Sequence, residues 1–415
     1  MLRRFLSLQR ILFALYVLSL ATSMSGMELF STLLAFSVLC LLIARKGIRS
    51  TEKLLPPFWK PMLAFLLVVL AGIILGEATV REKLYDIGRM RFFLLYAVLF
   101  YYFHYFSDNY GWLKVLFVTT LFVAVYGICQ HFIPLDIFRP AGKKIVLYAI
   151  DDQKLGSLVL GTFNHHLTFA NIYLLYAGLF LALGLFYFPA KKWLLLHGAL
   201  LCLLCIWTES RAAWIATPVV VAIVASGKSK KVGLIALASV IGVLLVVYAT
   251  DKGFQQRFQR TFIQQDDFYN LGPRTRLWIA QWHMFKQHPI LGVGWNNNER
   301  QAKQYVDKLF PEIRERFYGH AHSTPLQILS TTGLLGFGCY LWLWVEIFST
   351  LSQALRKITK RKIEWWLALA LLGGFFGFHI QGLTQWNFGD AEVTHNLVFF
   401  WAVLAAQVHV RNRTP

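Results

Sequence analysis

The sequence predicts an all-α, polytopic membrane protein with about 12 transmembrane helices and a long external loop carrying amphipathic helices. Three observations carry that prediction. Of the 415 residues, 57% are hydrophobic and 15% charged, against roughly 25% charged in an ordinary globular chain. The apolar residues gather in runs near the ~20 residues needed to cross a hydrocarbon core of about 30 Å. The 41 Lys and Arg exceed the 21 Asp and Glu, a formal +20, and the basic residues group between the apolar runs, as membrane topology and anionic lipid-linked ligands require and nucleic-acid binding does not. Runs this continuous fit helices rather than barrel strands. An ordinary soluble enzyme is excluded and no nucleic-acid partner is expected.

Taken in order, the runs predict helices near 11–24, 27–44, 59–76, 90–107, 112–132, 164–188, 193–209, 212–226, 232–250, 326–350, 365–384 and 394–410. The start, MLRRFLSLQR before ILFALYVLSLA, has the layout of a signal peptide. A second apolar run, Met27 to Ala44, follows at once, so the first run is expected to be kept as a span. Short basic loops then share one face: Arg3 and Arg4; Arg45, Lys46, Arg49 and Lys53; Lys191 and Lys192; Lys228, Lys230 and Lys231; Arg356, Lys357, Lys360, Arg361 and Lys362; Arg411 and Arg413. By the positive-inside rule that face is cytoplasmic. The longer segments 133–163 and 251–325 fall outside, in the periplasm of a Gram-negative cell. The expected organisation is 1–250 as helices 1–9, 251–325 as an external catalytic loop and 326–415 as helices 10–12. Pro and Gly do not mark matched broken helices in two halves, which counts against an inverted-repeat transporter. Cys40, Cys129, Cys202, Cys205 and Cys339 all lie in apolar stretches and read as packing residues, with no second pair to complete a zinc site.

Candidate chemistry concentrates outside. The loop from Asp251 to Pro325 holds Arg257, Arg260, Arg274, Arg276, Lys286, Arg300, Lys303, Lys308, Arg314 and Arg316 on the side where topology does not demand positive charge. Leu277, Trp278, Trp282 and Phe285 recur on neighbouring turns, predicting an interfacial amphipathic helix. Arg274 and Arg276 stand just ahead of it, with guanidinium forks suited to phosphate oxygens. Arg211, in IWTESRAAWIA, sits at a very short external turn between two apolar runs. A charge at membrane depth costs about 2.5–3.5 kcal/mol and is a functional candidate by default; pairing with Glu209 or snorkelling is the bland alternative. Arg89 and Arg91 open another span and suit either substrate or lipid phosphate. His322, in YGHAHSTPLQ, stands before the tenth span and can accept a proton. His320 is expected to point elsewhere if the backbone is extended, and so to orient the site. No acidic cluster accompanies the pair, which disfavours a metal. His165 and His166 begin the sixth span on the same face, and Asp390 and Glu392, in NFGDAEVTHN, are acids placed to orient His322 or an acceptor.

These residues resemble the O-antigen ligase and O-antigen polymerase superfamily of multispanning glycosyltransferases. The resemblance rests on SRAAWIA, on RTRLWIAQWHMFKQHPILGVGWNNN and on HSTPLQILSTTGLLG, and it spans roughly 160–345. It implies transfer of a glycan from an undecaprenyl-diphosphate carrier to an acceptor hydroxyl, with no cofactor and no required metal. It also implies that His322 matches the family's base, and that Arg211 and Arg276, with Arg274 close by, match the arginines assigned to the diphosphate. Ser323 stands where the family often has Asn, and His165 falls at a further family histidine. The particular activity expected is that of an O-antigen ligase in a bacterial inner membrane, with lipid A-core as acceptor, membrane lipids around it and an inverting mechanism. A polymerase or protein O-oligosaccharyltransferase would share the donor, and a lipid or glycan transporter is the non-enzyme alternative.

Overall fold

The computed structural model describes residues 2–44, 55–106, 110–133, 136–138, 147–150, 153–187, 192–262, 273–311 and 318–411. Arg45, Lys46, Arg49, Lys53, Lys191, Arg314, Arg316 and Arg413 lie outside the described residues. The helices, in chain order, are α1 (Leu2–Leu20), α2 (Met24–Ala44), α3 (Trp59–Leu75), α4 (Val80–Gly88), α5 (Arg91–Phe106), α6 (Gly111–Phe132), α7 (His166–Ala182), α8 (Lys192–Trp207), α9 (Arg211–Ser226), α10 (Lys230–Thr250), α11 (Lys252–Phe262), α12 (Pro273–Gln287), α13 (Asn297–Leu309), α14 (Thr324–Lys357), α15 (Ile363–Gly382) and α16 (Ala391–Arg411). Each expected apolar run coincides with one of them. Among the described residues, α6, α7 with its following π turn, α10, α14 and α15 are long and apolar enough to cross a membrane, and shorter apolar helices surround them. The four remaining helices, α4, α11, α12 and α13, are short and polar; α12 stands where the Leu277, Trp278, Trp282 and Phe285 pattern expects a helix, but those residues do not share one environment, Leu277 being buried and Trp282 exposed.

Two features depart from the expectation. A small antiparallel hairpin, β1 (Leu147–Ile150) with β2 (Gln153–Ser157), interrupts the all-α plan. Its sequence explains it, since IVLYAI is rich in β-branched and aromatic residues and runs into the acidic pair Asp151-Asp152. The tenth helix, expected over 326–350, begins at Thr324, continues to Lys357 and is broken at Gly333, whose backbone (φ 62, ψ −163) is not helical.

The break is filled from outside the helix. The stretch 289–294, PILGVG, lies against it and forms four backbone bonds: Val293 N to Ser330 O, Gly294 N to Thr331 O, Leu334 N to Pro289 O and Leu335 N to Ile290 O. Carbonyls and amides freed by the break thus find partners without water, as an apolar surrounding demands. Glycine is required at the contact. A Cβ on Gly333 would lie 2.3 Å from the Ile290 carbonyl, and one on Gly292 2.4 Å from the Thr331 backbone.

Burial sorts the helices. α7 is buried from Thr168 to Ala182, as a helix apolar on every side should be when it lies in the centre of a bundle, and it packs on α8, α9 and α15. Small residues allow the approach: Gly178 and Gly373 both stand against Val220, and Gly374 against Leu175. By contrast α10 exposes Leu234, Ile235, Leu245 and Val246, which suits a lipid-facing position on the edge. Two of the basic loops meet at one end. Lys360, after α14, donates to the carbonyl of Gly227, before α10 (2.9 Å), and α9 and α14 both run from that end towards Arg211 and His322.

Candidate active site

Three histidines, an arginine and a carboxylate meet where α7, α12, α14 and α16 begin. His165 caps α7, its ring accepting a hydrogen bond from Leu167 N (3.2 Å). Its neighbour His166 bonds through Nδ1 to the Thr208 carbonyl (2.6 Å), which ties the start of α7 to the turn before α9. The rings of His320 and His322 lie against each other, tilted by 53° with centroids 4.0 Å apart, and His320 Nδ1 accepts from the backbone N of His322 (3.1 Å). The expectation that His320 points elsewhere is therefore corrected. Residues two apart share a face even in an extended chain, and here the chain also curls, His322 having φ 47. A non-glycine residue in that conformation is uncommon, and such strain gathers at functional positions. With Nδ1 engaged as acceptor, neutral His165 and His320 carry their proton on Nε2.

The electrostatics are one-sided. Burial pushes His322 down to about 3, and His320, Arg274 and His165 add to the effect. Burial likewise brings His320 to about 4, with Arg274 and His165 in the same direction and Asp390 opposing. Loss of solvation lowers His165, again against Asp390 and together with Arg274. All three rings are neutral at pH 7, as a proton acceptor must be. Arg274, at the start of α12, is the arginine whose charge they feel; it also donates to the Thr384 carbonyl (3.4 Å). Asp390 accepts from Thr168 Oγ1 (2.5 Å) and stands one residue before α16, so it faces His165 and His320 rather than serving His322 directly. Arg276, two residues on in the same first turn of α12, points to another side of the helix and is half-buried, and none of the three histidines is shifted by it.

Two buried amide networks, which no motif announces, grip the His322 turn from either side. In one, Thr324 donates to Asn387 Oδ1 (2.7 Å), Asn387 to Asn171 Oδ1 (2.8 Å), Asn171 to Gln385 Oε1 (2.6 Å) and Gln385 to Ser210 Oγ (3.1 Å). Ser210 immediately precedes Arg211, which opens α9 with its side chain exposed, so the turn carrying the arginine is bonded through to the helix that follows His322. In the other, Gln327 accepts from Ala321 N (2.7 Å) and exchanges bonds with Asn298 (2.8 and 3.0 Å), which also donates to Gln281 (2.9 Å). Ser330 closes that network on Gln281 (2.6 Å). The sequence signal was present in plain form, as amide side chains inside or beside apolar runs, where an unpaired polar group is costly.

The remaining expected residues have other engagements. Arg89 donates to the carbonyl of Gly389 (3.2 Å), beside Asp390. Arg91 forms a two-point pair with Glu28, which also faces His395. The five cysteines are free, as expected of packing residues. Among the described residues no group of His, Cys, Asp and Glu has the form of a metal site.

An α-helical membrane protein with a histidine and arginine site at one end of its bundle is the class these features define. The family described as O-antigen ligase matches residues 196–341, and this match supports membership of the O-antigen ligase and polymerase superfamily, a membrane glycosyltransferase-like group. The matched segment contains Arg211, Arg274, Arg276, His320 and His322. No curated protein matches the chain.

Proposed function

We propose that the chain is an O-antigen ligase, transferring a glycan from undecaprenyl diphosphate to a hydroxyl of lipid A-core on the periplasmic face of the inner membrane. The observation that carries this reading is the convergence of neutral His320 and His322, from the family-matched segment, and of His165 on Arg274, which also lies in that segment. His322 takes the proton of the acceptor hydroxyl. The hydroxyl oxygen then bonds to the anomeric carbon from the face opposite the diphosphate, the carbon–diphosphate bond breaks, and undecaprenyl diphosphate leaves with the configuration inverted. Arg274, with Arg276 and Arg211, stabilises the developing negative charge.

The depressed His322 has a consequence for this mechanism. At about 3 the free imidazole is a weak base. A bound diphosphate neutralises the field of Arg274 and places anionic charge nearby, and both changes raise the histidine towards its ordinary range. The donor thereby activates the base, and proton removal awaits a loaded site. His320 and His165, presenting Nε2–H, donate to donor or acceptor oxygens.

The test is transfer by purified protein in detergent, with an undecaprenyl-diphosphate glycan and lipid A-core, a second carrier-linked glycan or a pilin-like peptide in parallel. Product on lipid A-core, lost in His322→Ala and Arg276→Ala, is the expected result. Extension of the carrier-linked glycan alone would make the chain a polymerase. Modification of the peptide alone would make it a protein O-oligosaccharyltransferase. No product with any acceptor, while labelled carrier crosses liposomes, would overturn the enzyme reading.

A further inference from the structure

A second cavity lies away from the histidines, between the C-terminal end of α3, α12, the 289–294 stretch and α13. Its volume is about 690 Å³, within the range of about 300–1,000 Å³ typical of small-molecule sites. One wall is a face of α13. Gln301, Gln304, Tyr305 and Lys308 recur at spacings of three and four, so they project together. The other faces of that helix are already used: Val306 packs on Leu277 and Ala280 of α12, and Arg300 pairs with Asp86 (2.9 Å). His283 and Gln287 of α12 face the same space, and Tyr305 donates to Gln287 Oε1.

The third wall is bare backbone. Gly72, Gly76, Gly292 and Gly294 line it, and a Cβ on Gly294 (φ +94) would lie 2.5 Å from the Gly72 carbonyl. The chemistry of the lining is therefore amide, imidazole, phenol and peptide, groups that donate and accept in the way sugar hydroxyls do. Leu75, Leu291 and Leu309 add apolar patches for the C–H faces of sugar rings. No arginine is among the described lining, and its charged residues are one lysine, Lys308, and one glutamate, Glu77. A diphosphate or a phosphorylated core would find no fork here, in contrast to the histidine site, which holds Arg274.

We infer that this cleft binds a run of neutral sugar residues of the transferred glycan, at a distance from the reacting carbon. The inference rests on the glycan-transfer reading above. The wall formed by 289–294 is bonded to α14, so a chain held in the cleft is anchored to the helix that follows His322.

The test is binding without turnover, by saturation-transfer NMR and calorimetry on purified full-length protein in detergent. The probe is an oligosaccharide of several repeat units, released by mild acid from the surface polysaccharide of the source strain and free of lipid and phosphate. Wild type is expected to bind it, and Gln301→Trp, which fills the cleft, to weaken binding about tenfold or more, the equivalent of ~1.4 kcal/mol. Gln304→Ala, an exposed position that leaves packing intact, is expected to weaken it in the same direction, and Gln353→Ala, near the far end of α14, to leave it unchanged. Released core oligosaccharide is the second arm, and its binding is expected to be indifferent to both cleft variants. Absence of binding to wild type, equal binding to Gln301→Trp and Gln304→Ala as to wild type, or core as the sugar displaced, would overturn the assignment. Because neither donor nor acceptor is present, glycan binding that survives a failed transfer assay would overturn the ligase reading and leave the cleft standing.

Discussion

Two charged clusters are tied to the start of α14, and they are built on opposite rules. In the first, between α4 and α13, one cation is shared by two carboxylates. Arg300 reaches Asp86 (2.9 Å) and Glu82 (3.2 Å); Asp86, only 1% exposed, accepts also from Asn296 (2.6 Å). In the second, three histidines and Arg274 face Asp390. In the first cluster the charges are spent in direct ion pairs with one another. In the second, three neutral histidines stand between Arg274 and Asp390, and Arg274 helps to depress them. Charge density alone does not separate a structural network from a site; the presence of neutral, depressed bases among the charges does.

The largest effect expected from breaking the contrast is at His322. His322→Ala should reduce transfer by roughly 10²–10⁴-fold, the usual contribution of a positioned base, with the melting temperature unchanged. Asp86→Ala should do the reverse. It takes from Arg300 its buried partner, leaving Glu82, and leaves Asn296 unpaired, and should cost about 1–3 kcal/mol of stability, read by denaturation in detergent, while activity per folded molecule holds.

Arg274→Ala sharpens the comparison through pH. A histidine held at about 3 or 4 is neutral, and competent as an acceptor, at any pH above that value. Protonation begins only as pH falls through it, so the acid limb of kcat/KM, which reports the free enzyme, should lie well below the ordinary histidine value of about 6.5. Removing Arg274 takes away a charge that lowers all three histidines, and the limb should move to higher pH. In the wild type the limb of kcat should lie above that of kcat/KM, because the bound diphosphate raises His322. Coincident limbs would remove donor activation from the mechanism.

Asn387→Ala, in the amide network, should cost about 1–3 kcal/mol for the partners left unpaired and lower kcat more than it raises KM. The smallest effect belongs to Arg91→Ala. Its pair with Glu28 is 44% exposed on the arginine side, and such pairs are worth about 0–1 kcal/mol; a large loss of transfer in this variant would return Arg91 to the site.

The helices were legible because their signal is additive: twenty apolar residues in a row speak without reference to the rest of the chain. His320, His322, Arg274 and Asp390 were legible as residue types at the ends of such runs. Their roles were less so. Arg276 and Arg274 are two residues apart and equal in sequence, and only the direction in which α12 starts decides which one acts on the histidines. The curl at His322 was hidden because a positive φ at a non-glycine residue is enforced by its surroundings, here Gln327 holding Ala321 N and Thr324 bonded to Asn387 and to the Gln385 carbonyl (3.0 Å). Asn171, Gln281, Asn298, Gln385 and Asn387 went unnoticed because an amide declares its purpose only when its partner, 17 to 216 residues away, is known.

The broken helix at Gly333 also bears on how the protein is made. The 289–294 stretch leaves the ribosome before Gly333 does, so the partner that completes α14 is already waiting when the break emerges. The helix does not have to enter the bilayer with open backbone bonds and search for relief afterwards. Reversing that order, by a circular permutation that places 289–294 after α14, would oblige the nascent helix to insert unfinished, and membrane insertion yield rather than activity is where the penalty would be read.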